Sequence, residues 1–287
     1  MKSLNKFIRR KLSRLKVFEK IIIANFIFFI FTFIVLRLQE SGVTIEWLEL
    51  SKFFSDVFSK PWTVLTYGFT HYSFVHLFFN MFVFYFFGFA FSNILKDDIS
   101  LKVYVLGVIS GGFAFVFIYN LFPSGILKTA GPLIGASAGV RAVIIFLCTY
   151  IPNKKVRFFN FQFPLKYVGI AFVILDIPGL FSQNSGGSVA HLGGCALGYF
   201  YAKQLHKGTD IGVFIDRIIK YFSRVSSPLK TVHKNKNKKP SFAGKKKEEF
   251  DCFTHQKQID LILDKISKSG YESLTQAEKD FLFRAGK

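Results

Sequence analysis

The sequence predicts an all-α membrane protein of six transmembrane helices, ending in a small cytoplasmic helical hairpin. Three observations point there. The 287 residues are 51% hydrophobic, with a mean hydropathy of +0.33, yet the net charge is +20. That charge leaves the apolar runs nearly empty, the pattern of a polytopic membrane protein with basic ends. The runs also recur near the roughly 20 residues needed to cross hydrocarbon. The 39 phenylalanines are not read as a motif.

The predicted spans cover about 21–38, 74–95, 101–122, 133–151, 165–181 and 188–205, so that a membrane domain fills 21–205. Residues 1–20 carry eight Lys or Arg and one Glu. They read as a cytoplasmic flank to the first span rather than a transit peptide, and no secretory signal is expected. Lys96 and Lys102 fall at the junction of spans two and three, and Lys154, Lys155, Arg157 and Lys166 at the junction of four and five, whereas loop 181–188 has no charge. With the N-terminus inside, this alternation is self-consistent and the C-terminus is also inside. Loop 39–73 holds Trp47, Phe53, Phe54, Phe58, Trp62 and Tyr67 among charged residues, and is expected to lie in the outer membrane interface.

Beyond Leu205 the chain changes character. In 206–225, Ile211, Phe214, Ile215, Ile218, Ile219, Phe222 and Val225 recur at helical spacing among Arg217, Lys220 and Arg224. That predicts an amphipathic helix on the inner leaflet. Residues 226–250 read as a basic disordered linker, whose lysines favour anionic lipid over nucleic acid. In 251–287, Ile259, Ile262, Leu263 and Ile266 share a helix face, Gly270 suits a helix stop, and Thr275-Gln276-Ala277-Glu278 is a capping box opening a second helix.

Cys148, Cys195 and Cys252 are isolated, without metal-ligand spacing. His71 and His76 are five apart and no His-Glu-x-x-His occurs, so neither a metal nor another cofactor is expected. What remains is polar chemistry inside apolar runs, which is costly and points to function. Gly135-Ala136-Ser137-Ala138-Gly139 opens span four and Ala190-His191-Leu192-Gly193-Gly194 opens span six, each polar residue about one turn inside. A serine and a histidine make the minimal nucleophile and general base of a serine hydrolase. Spans two, four and six all enter from outside, so His76, Ser137 and His191 should share one depth.

His76 and Asn80, spaced i and i+4, lie on one helix face as candidate donors to an oxyanion beside the Ser137 backbone N–H. Gly135, Gly139, Gly194 and Gly198 are expected to let spans four and six approach closely. No acid flanks His191, so a Ser–His dyad is expected. Asp176 is read as interfacial or structural, with orientation of His191 as the alternative, and His71 as interfacial or structural. Gly-x-Ser-x-Gly also marks soluble α/β-hydrolases, but the strand–turn–helix setting is missing.

On Gly135-Ala136-Ser137, Ala190-His191-Leu192-Gly193-Gly194, His76-Leu77-Phe78-Phe79-Asn80 and the six spans, the chain resembles the rhomboid family of intramembrane serine proteases, over about 60–205. Pro61-Trp62-Thr63-Val64-Leu65-Thr66-Tyr67 and the tail 256–284 resemble rhomboids of Bacteroidota-type bacteria. The resemblance implies a six-helix rhomboid-like bundle, a Ser137–His191 dyad and an oxyanion hole from His76 and Asn80. It also implies cleavage of single-span membrane proteins near the outer boundary of a bacterial cytoplasmic membrane. Three departures stand out: Ala138 in place of a Gly after the serine, Thr63 in place of an Arg after Trp62, and Arg141 one turn below Ser137. A cation there needs a partner or water. The expected alternative is an inactive rhomboid-like scaffold that binds and sorts membrane clients.

Overall fold

The computed structural model describes residues 11, 14–38, 45–158, 161–226 and 247–285. Most of the basic N-terminus and of the expected linker 226–250 therefore lies outside the described residues. The chain divides into two units, Met1–Ser226 and Ser227–Lys287.

In the first unit α1 (Val17–Leu38) is followed by two short helices, α2 (Phe54–Ser59) and α3 (Thr63–Thr66), and a 3₁₀ turn at Tyr67–Phe69. Then come α4 (Phe74–Ser92), α5 (Asp97–Leu121), α6 (Ser137–Tyr150), α7 (Leu165–Gly179), α8 (Ser185–His206) and α9 (Val213–Ser226). Where only a basic loop was expected, β1 (Lys155–Phe158) and β2 (Phe161–Pro164) form an antiparallel hairpin, Lys155 opposite Pro164. Ser73 caps α4, its hydroxyl accepting the His76 N–H at 3.5 Å. Asp97 and Asp98 occupy the first turn of α5, where negative charge offsets the helix dipole.

Among the described residues three helices are long and apolar enough to cross a membrane: Val17–Arg37, Phe74–Ser92 and Asp97–Leu121. The other three expected spans differ for physical reasons. Helix α6 is apolar but has 14 residues, because 133–136, expected inside span four, is not helical. Helix α7 has 15 residues, and the 22 of α8 are diluted by Gly, Ser and His.

Helix α6 is the centre of the unit, with ten of its 14 residues buried among α4, α5 and α8. Close approach to α8 depends on glycine. A Cβ at Gly194 would fall 2.1 Å from the Ala138 carbonyl oxygen, and one at Gly198 would fall 2.3 Å from that of Ala142. Gly139 does not join this contact as expected: it faces α5, where a Cβ would meet Tyr104 and Val108 at 2.9 Å. Helix α7 is peripheral, burying only Leu165, Gly169 and Asp176.

At the opposite end from Ser137, Lys102 of α5 is buried and contacts Asp210 at 2.8 Å, Asp216 at 2.6 Å and Asp98 at 3.4 Å. Tyr201 also donates to Asp210. These contacts fix the start of α9, which buries Ile215 and exposes Phe214, Ile218 and Ile219.

In the second unit α10 (Lys247–Ser269) ends at Gly270, whose φ is +76°, and α11 (Gln276–Ala285) follows. Thr275 N–H donates to Glu278 Oε2 at 2.8 Å and Glu278 N–H to Thr275 Oγ1 at 3.3 Å, the reciprocal exchange of a capping box. Lys265, with Thr275, holds the Glu278 carboxyl down at about 2.

Candidate active site

The segment leading into α6 is pinned by residues 50–71. Leu50 and Leu133 exchange backbone hydrogen bonds at 3.1 and 2.8 Å. Lys52 Nζ donates to the Ala130 carbonyl at 2.8 Å. Gly135 N–H donates to the Tyr67 carbonyl at 2.9 Å, and Tyr67 is itself anchored through its hydroxyl on the Val108 carbonyl at 2.6 Å. Ala136 N–H donates to His71 Nε2 at 3.3 Å. The long aromatic loop is thus a scaffold for the residues preceding Ser137.

Gly135 has φ +109°, and a Cβ there would fall 2.7 Å from His76 Cε1. Backbone conformation and the imidazole both require glycine at this point. Ser137 is then the first residue of α6, not one turn inside as expected, and is half-buried. This start aims the orphan N–H groups of the first turn toward the space beside the serine. His191 lies nearly two turns into α8.

Asp176 lies beside His191, as in the alternative reading of that residue. Its Oδ1 lies 2.8 Å from His191 Nδ1. Arg141 grips the same carboxylate with two bonds, Nε to Oδ2 at 2.8 Å and Nη2 to Oδ1 at 2.9 Å. The guanidinium also lies over the Phe172 ring, 4.7 Å from its centroid. The unusual cation below Ser137 is thereby paired and stacked. Since Arg141 and Ser137 are spaced i and i+4, the bridge through Asp176 turns the Ser137 face of α6 toward His191. Ala138 also lays its carbonyl on Gly194, three residues after His191. Among the described residues no hydrogen bond joins Ser137 Oγ to His191. Catalytic contacts often close only in the substrate complex.

Of the two readings of His71, interfacial or structural, its surroundings are those of a buried structural residue. It is fully buried, and its ring centroid is 5.0 Å from that of His76. Nδ1 lies 3.2 Å from the Phe69 carbonyl, while Nε2 faces both Ala136 N–H and Asn80 Nδ2, the latter at 3.4 Å. This fits one neutral tautomer, donating from Nδ1 and accepting at Nε2. Burial, reinforced by His76, holds the imidazole down at about 4. Asn80 Nδ2 also donates to the His76 carbonyl at 3.1 Å, so both its hydrogens are engaged in this state.

A cavity of about 390 Å³ opens beside His76, lined also by Ala130–Ile134, Gln183, Asn184, Gly186 and Gly187. No group of three His, Cys, Asp or Glu able to hold a metal occurs among the described residues. The pairing carried a signal in the sequence: lone opposite charges at Arg141 and Asp176, both within expected spans, have strong reason to meet. For His71 the signal was only its closeness in sequence to His76.

The chain spans about two fifths of the length of the curated relatives it matches. It is 32% identical over 152 residues to "Presenilin-associated rhomboid-like protein A, mitochondrial" of Danio rerio, covering 49% of this chain and 36% of that one. It is 29% identical over 160 residues to the human "Presenilin-associated rhomboid-like protein, mitochondrial", covering 53% and 40%. It is 28% identical over 159 residues to "RHOMBOID-like protein 12, mitochondrial" of Arabidopsis thaliana, covering 51% and 47%. Residues 250–285 match a family of unknown function (DUF6576). Residues 59–208, just over half of the chain and the whole of the pinned loop, the histidine pair and the Ser137 and His191 helices, match the rhomboid domain, and the protein belongs to the rhomboid family.

Proposed function

We propose that this protein is an intramembrane serine endopeptidase in which Ser137 is the nucleophile, His191 the general base and Asp176 the group that orients it. The observation carrying this reading is the Arg141–Asp176–His191 chain on the Ser137 face of α6. With Asp176 accepting from Nδ1–H, the basic lone pair of His191 is on Nε2. On substrate binding, Ser137 Oγ attacks the scissile carbonyl carbon while its proton passes to Nε2. The tetrahedral oxyanion collapses, the peptide C–N bond breaks, and Nε2 returns the proton to the leaving amine. Water then attacks the acyl-enzyme, giving one proton to Nε2 and regenerating Ser137.

The developing oxyanion is met by the Ser137 backbone N–H, His76 and Asn80. Asn80 has to exchange its bond to His71 or to the His76 carbonyl for one to the substrate. Loss of one such donor typically costs about 10²–10³ in rate. Substrates are single-span membrane proteins whose helix unwinds locally near the outer membrane boundary, because a helical backbone is fully hydrogen-bonded internally. In this reading α6, α7 and α8 complete a six-span bundle in a bacterial cytoplasmic membrane, with both termini and the α9 helix on the anionic inner leaflet.

A fluorophosphonate probe tests the nucleophile directly. Wild type is expected to label at Ser137, Ser137→Ala not at all, and His191→Ala about 10²-fold or more slower. Absence of labelling in a correctly inserted wild type contradicts the reading and leaves the client-binding scaffold.

A further inference from the structure

We infer that the groove between α7 and α8, at the end of the bundle away from Ser137, is a binding site for one anionic phospholipid. The groove encloses about 440 Å³. Its walls are apolar, with Ile170, Val173 and Ile174 on α7 and Tyr199 on α8. Its floor is closed where α7 touches α6: a Cβ at Gly169 would fall 2.8 Å from Cys148 Cβ. Ile170, Ile174 and Tyr199 are about half exposed, so the groove opens sideways, to lipid in a membrane-embedded bundle.

The two polar ends fix the ligand's class. Lys166 sits in the first turn of α7 and Lys203 in the last turn of α8, and both line the groove. Their helices run in opposite directions, so both ammonium groups stand at one mouth. Neither has a carboxylate within ion-pair reach among the described residues. Their described contacts are with aromatic faces, Nζ of Lys166 lying 5.3 Å from the Tyr167 centroid and Nζ of Lys203 5.6 Å from that of Tyr199. Two uncompensated cations capping an apolar trough match a phosphodiester headgroup with its acyl chain laid between the helices. Basic pockets of this kind between membrane helices take anionic headgroups, and each buried CH₂ of the chain adds further affinity. The occupant has a structural role within reach. Helix α7 buries only three residues yet carries Asp176, so a lipid here ties the base of the helix that orients His191 while leaving its other end free.

Native mass spectrometry of the full chain in detergent tests the site without any turnover. It is titrated with phosphatidylglycerol or phosphatidylcholine of identical chains, as wild type, Lys166→Gln/Lys203→Gln and a charge-matched control, Lys96→Gln/Lys128→Gln. The expected result is a first phosphatidylglycerol held more tightly than phosphatidylcholine by wild type and by the control. It should be roughly thirtyfold weaker in the groove variant. All four lysines are exposed or half-buried, so the variants leave the core intact. Equal affinities for the two lipids in wild type, or equal loss in both double variants, overturns the site.

Discussion

At the residue scale the arrangement around His191 depends on a charge pair that neither partner sustains alone. Asp176→Asn keeps the shape but removes the charge, and its amide N–H can donate to Nδ1 and so favour the wrong imidazole tautomer. Turnover is expected to fall about 10²–10⁴-fold, read as kcat on a tagged reporter. The same change leaves Arg141 unpaired in a mostly buried position and should cost about 3–5 kcal/mol in stability. Arg141→Met/Asp176→Asn is expected to recover most of the stability but none of the activity. Recovery of both in the double variant would mean that Asp176 only neutralises Arg141.

A second residue-scale prediction concerns Glu49, which is buried with neither carboxylate oxygen hydrogen-bonded among the described residues. Burial, with Glu46 nearby, raises its carboxyl to about 7 from an ordinary 4.5. The folded state therefore holds its proton more tightly than the unfolded chain. The associated stability is fully present below about 4.5 and is lost as pH rises to about 7. Glu49→Gln should match wild type at acid pH and exceed it by about 1–2 kcal/mol at pH 8, measured by chemical or thermal unfolding.

At the element scale the sequence made some things readable and hid others. Helix periodicity and apolar length placed the helices of the expected spans to within a few residues, because those signals are local, but did not mark the short α2 and α3. The glycines of α8 were readable as a close-contact face, whereas their partner surface was not: Ala138 and Ala142 meet them while Gly139 turns to α5. Which side of a helix faces which neighbour is a tertiary fact with no local signature. Nor was the non-helical entry to α6 legible, since 133–136 is apolar enough to continue a helix. It stays non-helical because Leu50, Tyr67 and His71, all distant in sequence, take its hydrogen bonds. Gly198→Val should separate α6 from α8, destabilise the bundle by about 2 kcal/mol or more, and abolish cleavage, whereas substitutions on the exposed face of α1 should do neither.

At the scale of the whole molecule, activity is assigned to the first unit alone. Deleting 247–287 is expected to leave cleavage of a model substrate within about twofold of wild type at equal membrane levels, because every proposed site residue belongs to the first unit. A large loss would place the second unit within the catalytic machinery. The Ser137 and His191 motifs were visible in the sequence because each is a compact string. Asp176, Arg141 and His71 stood out only singly, each a lone residue on a separate element, and which of them meet comes only from the fold.

The most direct measurement is co-expression of the full chain with a tagged single-span reporter, comparing wild type with Ser137→Ala and His191→Ala at matched membrane levels. Cleavage by wild type that disappears in both variants is the expected result. Cleavage that survives in either variant, or a wild type that cleaves no reporter and takes no fluorophosphonate label, would contradict a Ser137–His191 protease.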